Sequence, residues 1–148
     1  MYKILFCVLI GISLFSYEVR DKIRPETVAQ LKLKRDKIYV IDFFASWCTS
    51  CKHELPLIEK LNRQIEHEKI EILGVDVDED IDKGITFQKE MGVTFQVFND
   101  PRGEIIKAFN PLGMPAVYLI KDSQVKSIFI GAKDEINQVI LTALQKIQ

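Results

Sequence analysis

Two cysteines three residues apart, Cys48 and Cys51, sit in the stretch WCTSCKHELP that runs from Trp47 to Pro56. On a helical turn, residues i and i+3 lie about 5–6 Å apart on one side, within the Cα separation that a disulfide spans. Such a pair opens and closes with little backbone movement, which suits reversible dithiol–disulfide chemistry. The run before it, Ile38–Phe44 (IYVIDFF), is β-branched and aromatic and predicts a buried strand, while the segment after Cys48 has helical spacing. Cys48 therefore falls where a helix begins, among unpaired backbone N–H groups and the positive end of the helix dipole, both of which favour thiolate over thiol. The expectation is that Cys48 attacks and Cys51 resolves. The competing chemistry is half of a zinc site, which needs two more ligands. Cys7 lies in an apolar N-terminal run, His67 far along the predicted helix, and His53 on a different helix face from Cys51. The strand-then-helix context is the one that redox pairs require.

The elements that must position this pair fit one domain. At 148 residues the chain can bury a full core without metal or disulfide staples. Its 20 basic and 21 acidic side chains leave a net charge of -1, which argues against nucleic-acid binding. Residues 4–15 (ILFCVLIGISLF) are uncharged, follow Lys3 and precede a polar stretch. That run is short for a hydrocarbon core of about 30 Å but matches the apolar region of a secretory signal. Residues 1–16 are thus expected to be a signal peptide or an uncleaved N-terminal anchor, 17–36 a lead-in, and 37–148 the catalytic domain. Lipidation at Cys7 and a buried first strand in a cytoplasmic protein are the alternatives. Export to the periplasm or the extracytoplasmic side of the membrane would leave Cys48 and Cys51 as the only cysteines of the mature chain. A bridge closing so small a loop constrains the unfolded chain little, so the pair reads as a reagent rather than a staple.

Along the chain, Pro25 and Glu26 precede a short helix through Leu33. The first strand feeds a helix over 48–67 with Leu55, Ile58, Leu61 and Ile65 at helical spacing and Pro56 expected to kink it. Residues 70–77 predict the next buried strand, parallel to the first through a right-handed crossover. The acidic run 76–82 (DVDEDID) reads as a solvated strand-to-helix turn, since it lacks the Gly and terminal Glu spacing of a calcium loop. A helix over 85–91, a strand over 94–98, a turn at Asn99-Asp100-Pro101 and a short helix over 103–109 follow. Strands over 117–120 and 125–130 with a hairpin-length connection lead to a closing helix over 134–147, capped by Asp134. This order predicts an α/β fold with a central mixed β-sheet flanked by helices on both faces.

The strings FFASWCTSCKHELP, GVDVDED and GMPAVYLI followed by VKSIFIG, in this order from about Lys37 onward, resemble the thioredoxin superfamily. More narrowly the chain resembles its exported ResA/TlpA/CcmG-like branch, with residues 85–98 similar to that branch's central TlpA-like insertion. The Thr49-Ser50 dipeptide is neither the Gly-Pro of thioredoxin nor the Pro-His of strong oxidants, which leaves the redox potential open. The resemblance implies a thioredoxin fold and a thiol-disulfide oxidoreductase that works without a bound cofactor. It matches Pro115 to the family's cis-proline and places Met114 and Trp47 where a substrate segment docks. It matches Glu54 to an acidic residue near the cysteines, the alternative being an ordinary exposed helix glutamate.

Asp42 stands mid-strand among apolar residues, where an ionised carboxylate is costly unless it is paired or its pKa rises. Its position before Cys48 resembles thioredoxin's buried aspartate, a proton acceptor for the resolving cysteine; the alternative is local hydrogen bonding at an edge. Lys52 and His53 read as solvated. The implied partners are a protein disulfide substrate, such as apocytochrome c or a cytochrome c maturation factor, and a membrane electron donor of CcdA/DsbD type. A disulfide-forming oxidase and a non-catalytic binding or chaperone module are the rival functions.

Overall fold

The computed structural model describes residues 15–148; residues 1–14, with Cys7 and most of the expected signal or anchor, lie outside the described residues. In chain order the elements are α1 (Pro25–Gln30), β1 (Ile38–Phe44), α2 (Thr49–Asn62), β2 (Ile70–Asp76), α3 (Ile81–Glu90), β3 (Gln96–Asn99), α4 (Glu104–Phe109), β4 (Ala116–Lys121), β5 (Gln124–Ile130) and α5 (Ile136–Ile147). The strands form one mixed sheet in the order β3-β2-β1-β4-β5. β1 runs parallel to β2, and β2 to β3, while β4 is antiparallel to β1 and β5 to β4.

All seven residues of β1 are buried, as a central strand covered on both faces requires. Successive side chains point to opposite faces, so β1 supplies two cores at once. Ile38, Val40 and Phe44 pack with Leu55, Ile58 and Leu61 of α2, Phe87 of α3 and Ile140 of α5. Tyr39, Ile41 and Phe43 pack with Leu31, which ends α1, and with Ile105 and Phe109 of α4. Each such side chain stabilises the fold by about 1.5–3 kcal/mol when fully buried. Alternation also sends Asp42 to the face of Val40 and Phe44, under α2. The hairpin between β4 and β5 turns through Asp122 and Ser123, both at positive φ (54° and 57°), the combination that matches the twist of the two strands.

Phe109 is the hub of the second core. The rings of Phe43, Tyr118 and Tyr17 lie 5.0, 4.9 and 5.1 Å from it, in the range of favourable aromatic pairs. Tyr17 shows that the lead-in is tied to the domain. Its N–H donates to the Phe109 carbonyl, Ile23 N–H donates to Ser123, and Arg20 N–H donates to Val125. Ile23, Thr27 and Leu31 are buried, so this segment covers part of the outer edge beside β5.

Several boundaries differ from the sequence expectation for identifiable reasons. α2 stops at Asn62 rather than near residue 67, because the chain must reverse to bring Ile70 beside Ile38; the Glu66 carbonyl takes the N–H groups of both Lys69 and Ile70 in that reversal. α3 begins four residues early, at Ile81, since the Asp80 carboxylate caps it by accepting from Asp82 and Lys83 N–H. Thr94 is not in a strand: its N–H and hydroxyl both donate to Glu59, at 2.9 and 2.7 Å. α5 starts at Ile136 with Glu135 at the cap position and no side-chain cap, so Asp134 does not fill the role assigned to it. The acidic run is solvated only in its second half: Glu79, Asp80 and Asp82 are exposed, whereas Asp76, which ends β2, and Asp78 are buried.

Asp100 organises α4 from outside it. Its carboxylate accepts from Glu104, Ile105 and Ile106 N–H at 2.8, 3.0 and 2.9 Å, satisfying three donors at the helix start. Asp100→Ala should lower stability by about 2 kcal/mol, the upper end for a lost cap. Chemical denaturation with an unchanged slope is the measurement, and an unaltered midpoint would show that α4 does not depend on this carboxylate.

Candidate active site

β1 ends at Phe44, and after three intervening residues the chain enters α2 through Cys48. Cys48 has extended backbone (φ -88°, ψ 102°), and its Sγ accepts from Cys51 N–H at 3.2 Å, so a sulfur occupies the place a serine or aspartate oxygen usually takes. Cys48 and Cys51 form a disulfide with Cα atoms 5.2 Å apart. Cys48 keeps 8% exposure and Cys51 none, which decides which sulfur a partner can reach. On reduction the helix N–H groups and dipole favour the thiolate at Cys48.

Cys51, Leu55 and Ile58 form the buried stripe of α2, and Glu54 belongs to it by spacing and by burial. Glu54 is therefore not an exposed helix glutamate. Burial raises its carboxyl to about 7, against an N–H bond from Lys133 and that lysine's charge, which lower it. Asp42 is fully buried on the same side of the sheet. Its pKa is raised well above the ordinary value, first by burial and then by the neighbouring Glu54 charge. Asp42 Oδ1 and Glu54 Oε2 have no hydrogen-bond partner. Unpartnered buried carboxyl oxygens favour the protonated acid. Lys52 and His53 are exposed.

The groove beside Cys48 has a volume of about 460 Å³ and is lined by Trp47, Cys48, Ile106, Lys107, Asn110, Pro111, Gly113 and Met114. Trp47 is two-thirds exposed and forms a free-standing wall. Pro115 is buried, and the Met114–Pro115 bond is cis. Of the residues singled out in the sequence, Trp47, Cys48 and Met114 line this one groove, Pro115 follows Met114, Cys51 and Glu54 share the buried stripe of α2, and Asp42 lies close enough to Glu54 to feel its charge. The α4 wall, with Ile106 and Lys107, went unpredicted, as did Lys133 and the buried Asp78. Among the described residues no group of three or more His, Cys, Asp or Glu side chains could hold a metal ion.

A profile of the AhpC/TSA family matches residues 14–128. The chain belongs to this family. Among curated proteins it is 31% identical over 98 residues to the thiol-disulfide oxidoreductase ResA of Geobacillus kaustophilus, covering 66% of this chain and 56% of that protein. ResA of Bacillus thuringiensis is 32% identical over 97 residues, 65% of this chain and 56% of that one. The match thus spans little more than half the length of these relatives. The fold is shared with solved structures: a candidate thiol:disulfide interchange protein DsbE from Chlorobium tepidum has a TM-score of 0.77 at 19% identity, covering 88% of this chain and 98% of that one. A secreted disulfide oxidoreductase from Mycobacterium tuberculosis has a TM-score of 0.66 at 19% identity, covering 80% and 85%. These neighbours identify the mixed sheet and its helices as a thioredoxin-like fold.

Proposed function

We propose that the protein is a thiol-disulfide oxidoreductase that reduces protein disulfides. The observation that carries this reading is the Cys48–Cys51 disulfide at the start of α2, with the reachable sulfur beside an apolar groove and the buried one on the same helix stripe as Glu54. In the reduced protein the Cys48 thiolate attacks one sulfur of the partner disulfide, and the other partner sulfur leaves as a thiolate that takes up a proton. Cys51 then passes its proton to the ionised form of Glu54, which is substantially populated near pH 7, with Asp42 beside it, and attacks Cys48 Sγ. The second partner sulfur departs as a thiolate and is protonated; two electrons have passed to the partner, with one proton originating on Cys51 and one from solvent, and the Cys48–Cys51 bond is restored. Trp47, Met114 and Pro115 hold the segment that presents the partner cysteine.

Our reading extends to an exported protein, working in the periplasm or on the extracytoplasmic side of the membrane. The apolar run over 4–15 and the likeness to a secreted oxidoreductase support it. Among the described residues no helix is long and apolar enough to cross a membrane. In that setting a CcdA/DsbD-type membrane donor would regenerate the dithiol, and apocytochrome c or another maturation factor would be the substrate.

Equilibration with glutathione tests direction. A reductant should show a potential below about -200 mV, whereas one near -120 mV, as for a strong oxidant, would make it a disulfide-forming enzyme. The reduced wild type should cleave a protein disulfide, Cys48→Ser should not, and Cys48 should alkylate before Cys51. Undiminished partner binding with both cysteines replaced, together with no cleavage by the wild type, would establish a binding module instead.

A further inference from the structure

The mechanism uses neither Ser46 nor the two buried aspartates at and just beyond the end of β2, Asp76 and Asp78, yet these residues are linked to one another. Asp78 Oδ2 accepts from Ser46 N–H at 2.8 Å, and Asp78 Oδ1 accepts from the Ser46 hydroxyl at 2.7 Å. Both oxygens of one buried carboxylate are thus engaged by a single residue, two places before Cys48. Charge-assisted bonds of this kind are about twice as strong as neutral ones, and two together fix direction as well as distance.

The carboxylate is itself held from behind. Asp78 N–H donates to Asp76 Oδ1 at 3.0 Å, Gln88 of α3 donates to Asp76 Oδ2 at 2.7 Å, and Asp100 N–H donates to the Asp76 carbonyl at 2.7 Å. Burial pushes the Asp76 carboxyl up to about 6, with the Gln88 bond opposing it. α3 approaches closely enough that a Cβ on Gly84 would lie 2.6 Å from Asp76 Oδ2, so glycine there makes room for the carboxylate. β2, α3 and the turn before α4 all brace Asp76, which in turn steadies the Asp78 that holds Ser46.

What Ser46 controls is its neighbour. Trp47 is largely exposed, so packing on its own side does little to orient the indole. The turn that carries it is pinned at one end by Cys48 N–H donating to the Ala45 carbonyl and in the middle by the two bonds from Ser46 to Asp78. We propose that Asp78 is a positioning residue: by clamping Ser46 it sets the direction of Trp47 and hence the shape of the groove that receives a protein substrate. The kinetic part of this proposal rests on the oxidoreductase reading; the geometric part does not.

Trp47 is the chain's single tryptophan, so its fluorescence reports on the clamp directly. In the full chain, Asp78→Ala should add a fast local component to the Trp47 anisotropy decay and increase quenching by acrylamide. It should lower kcat/KM for a folded protein disulfide by about tenfold or more, the scale of a misplaced contact. Oxidised glutathione, too small to need the Trp47 wall, should react within about twofold of wild type. Asp78→Asn keeps one acceptor for Ser46 N–H and should recover most of the loss, and Ser46→Ala should show a weaker form of it.

Unchanged Trp47 motion in folded Asp78→Ala would overturn the proposal, and so would a parallel fall in both rates that tracks lost thermal stability. Should Asp78→Ala fail to fold, Ser46→Ala decides by the same fluorescence measurement. A wild type inactive toward both disulfides would remove the functional reading, while the anisotropy comparison would still decide whether the clamp exists.

Discussion

Cys51→Ala is expected to turn the protein from a catalyst into a trap, with turnover reduced by at least about a thousandfold, as when one member of a catalytic unit is removed. Cys48 remains reachable in this variant, and the N–H that donates to its sulfur belongs to the backbone of residue 51, which alanine retains. The first attack therefore proceeds, but no buried thiol follows to release the partner. The product is a mixed disulfide through Cys48, visible as a dithiothreitol-sensitive adduct on a non-reducing gel and identifiable by mass spectrometry after reducing elution. Capture of exported proteins carrying a CxxC-type site would agree with the proposed setting. Turnover within about tenfold of wild type would mean that outside thiols resolve the intermediate and that Cys51 is dispensable.

Glu54→Gln and Asp42→Asn should exchange more slowly yet resist unfolding better at alkaline pH. Glu54 rises from 4.5 in the unfolded chain to about 7 in the fold, first through burial. Between these values the folded state keeps a proton that the unfolded state has released, so stability falls as pH rises through that window and levels off above about 7. The difference of about 2.5 units corresponds to roughly 3 kcal/mol as an upper bound. Glutamine has no such slope, so the gain of Glu54→Gln over wild type should be absent below pH 4.5 and complete above about 7, less the cost of burying an amide. Asp42→Asn should change stability in the same sense, because its carboxyl is raised in the same direction. Resolution should slow by about a hundredfold if these groups, in their ionised form, take the Cys51 proton, the lower range for general acid–base catalysis. Stopped-flow reduction of a model disulfide measures this; rates unchanged from pH 6 to 9 would assign both carboxyls a purely structural role.

The parts legible in the sequence are those whose causes are local. β1 is a continuous β-branched and aromatic run, and Cys48 directly precedes a segment of helical spacing, so strand, cap and disulfide could be placed from neighbours alone. The burial of Glu54 was also available, since it shares the stripe of Cys51, Leu55 and Ile58. Asp76 and Asp78 were misread because acidic composition suggests solvent, while the groups that make their burial tolerable come from Gln88 and Ser46, 12 and 32 residues away. Asp80 was absorbed into the same acidic run, although its spacing to Lys83 is that of a helix cap. The α4 wall of the groove depends on Phe109 meeting Phe43 and Tyr118, a tertiary event that no local pattern encodes.

The tie between Ser16 and Asn110, where the serine hydroxyl donates to the asparagine carbonyl, has a practical side. Asn110 also borders the groove beside Cys48, and Phe15 lines the adjoining hollow together with Lys107 and Asn110. A tag joined directly to Phe15 in place of residues 1–14 would therefore start at the rim of the reactive face and crowd incoming protein. The C-terminal helix end is placed differently: Lys121 holds the carbonyls of Ile147 and Gln148, and Lys121 lies opposite Ile38, at the end of β1 remote from Cys48. Affinity tags, fluorophores and surface attachment belong at Gln148, where a tethered molecule leaves the cysteines facing outward.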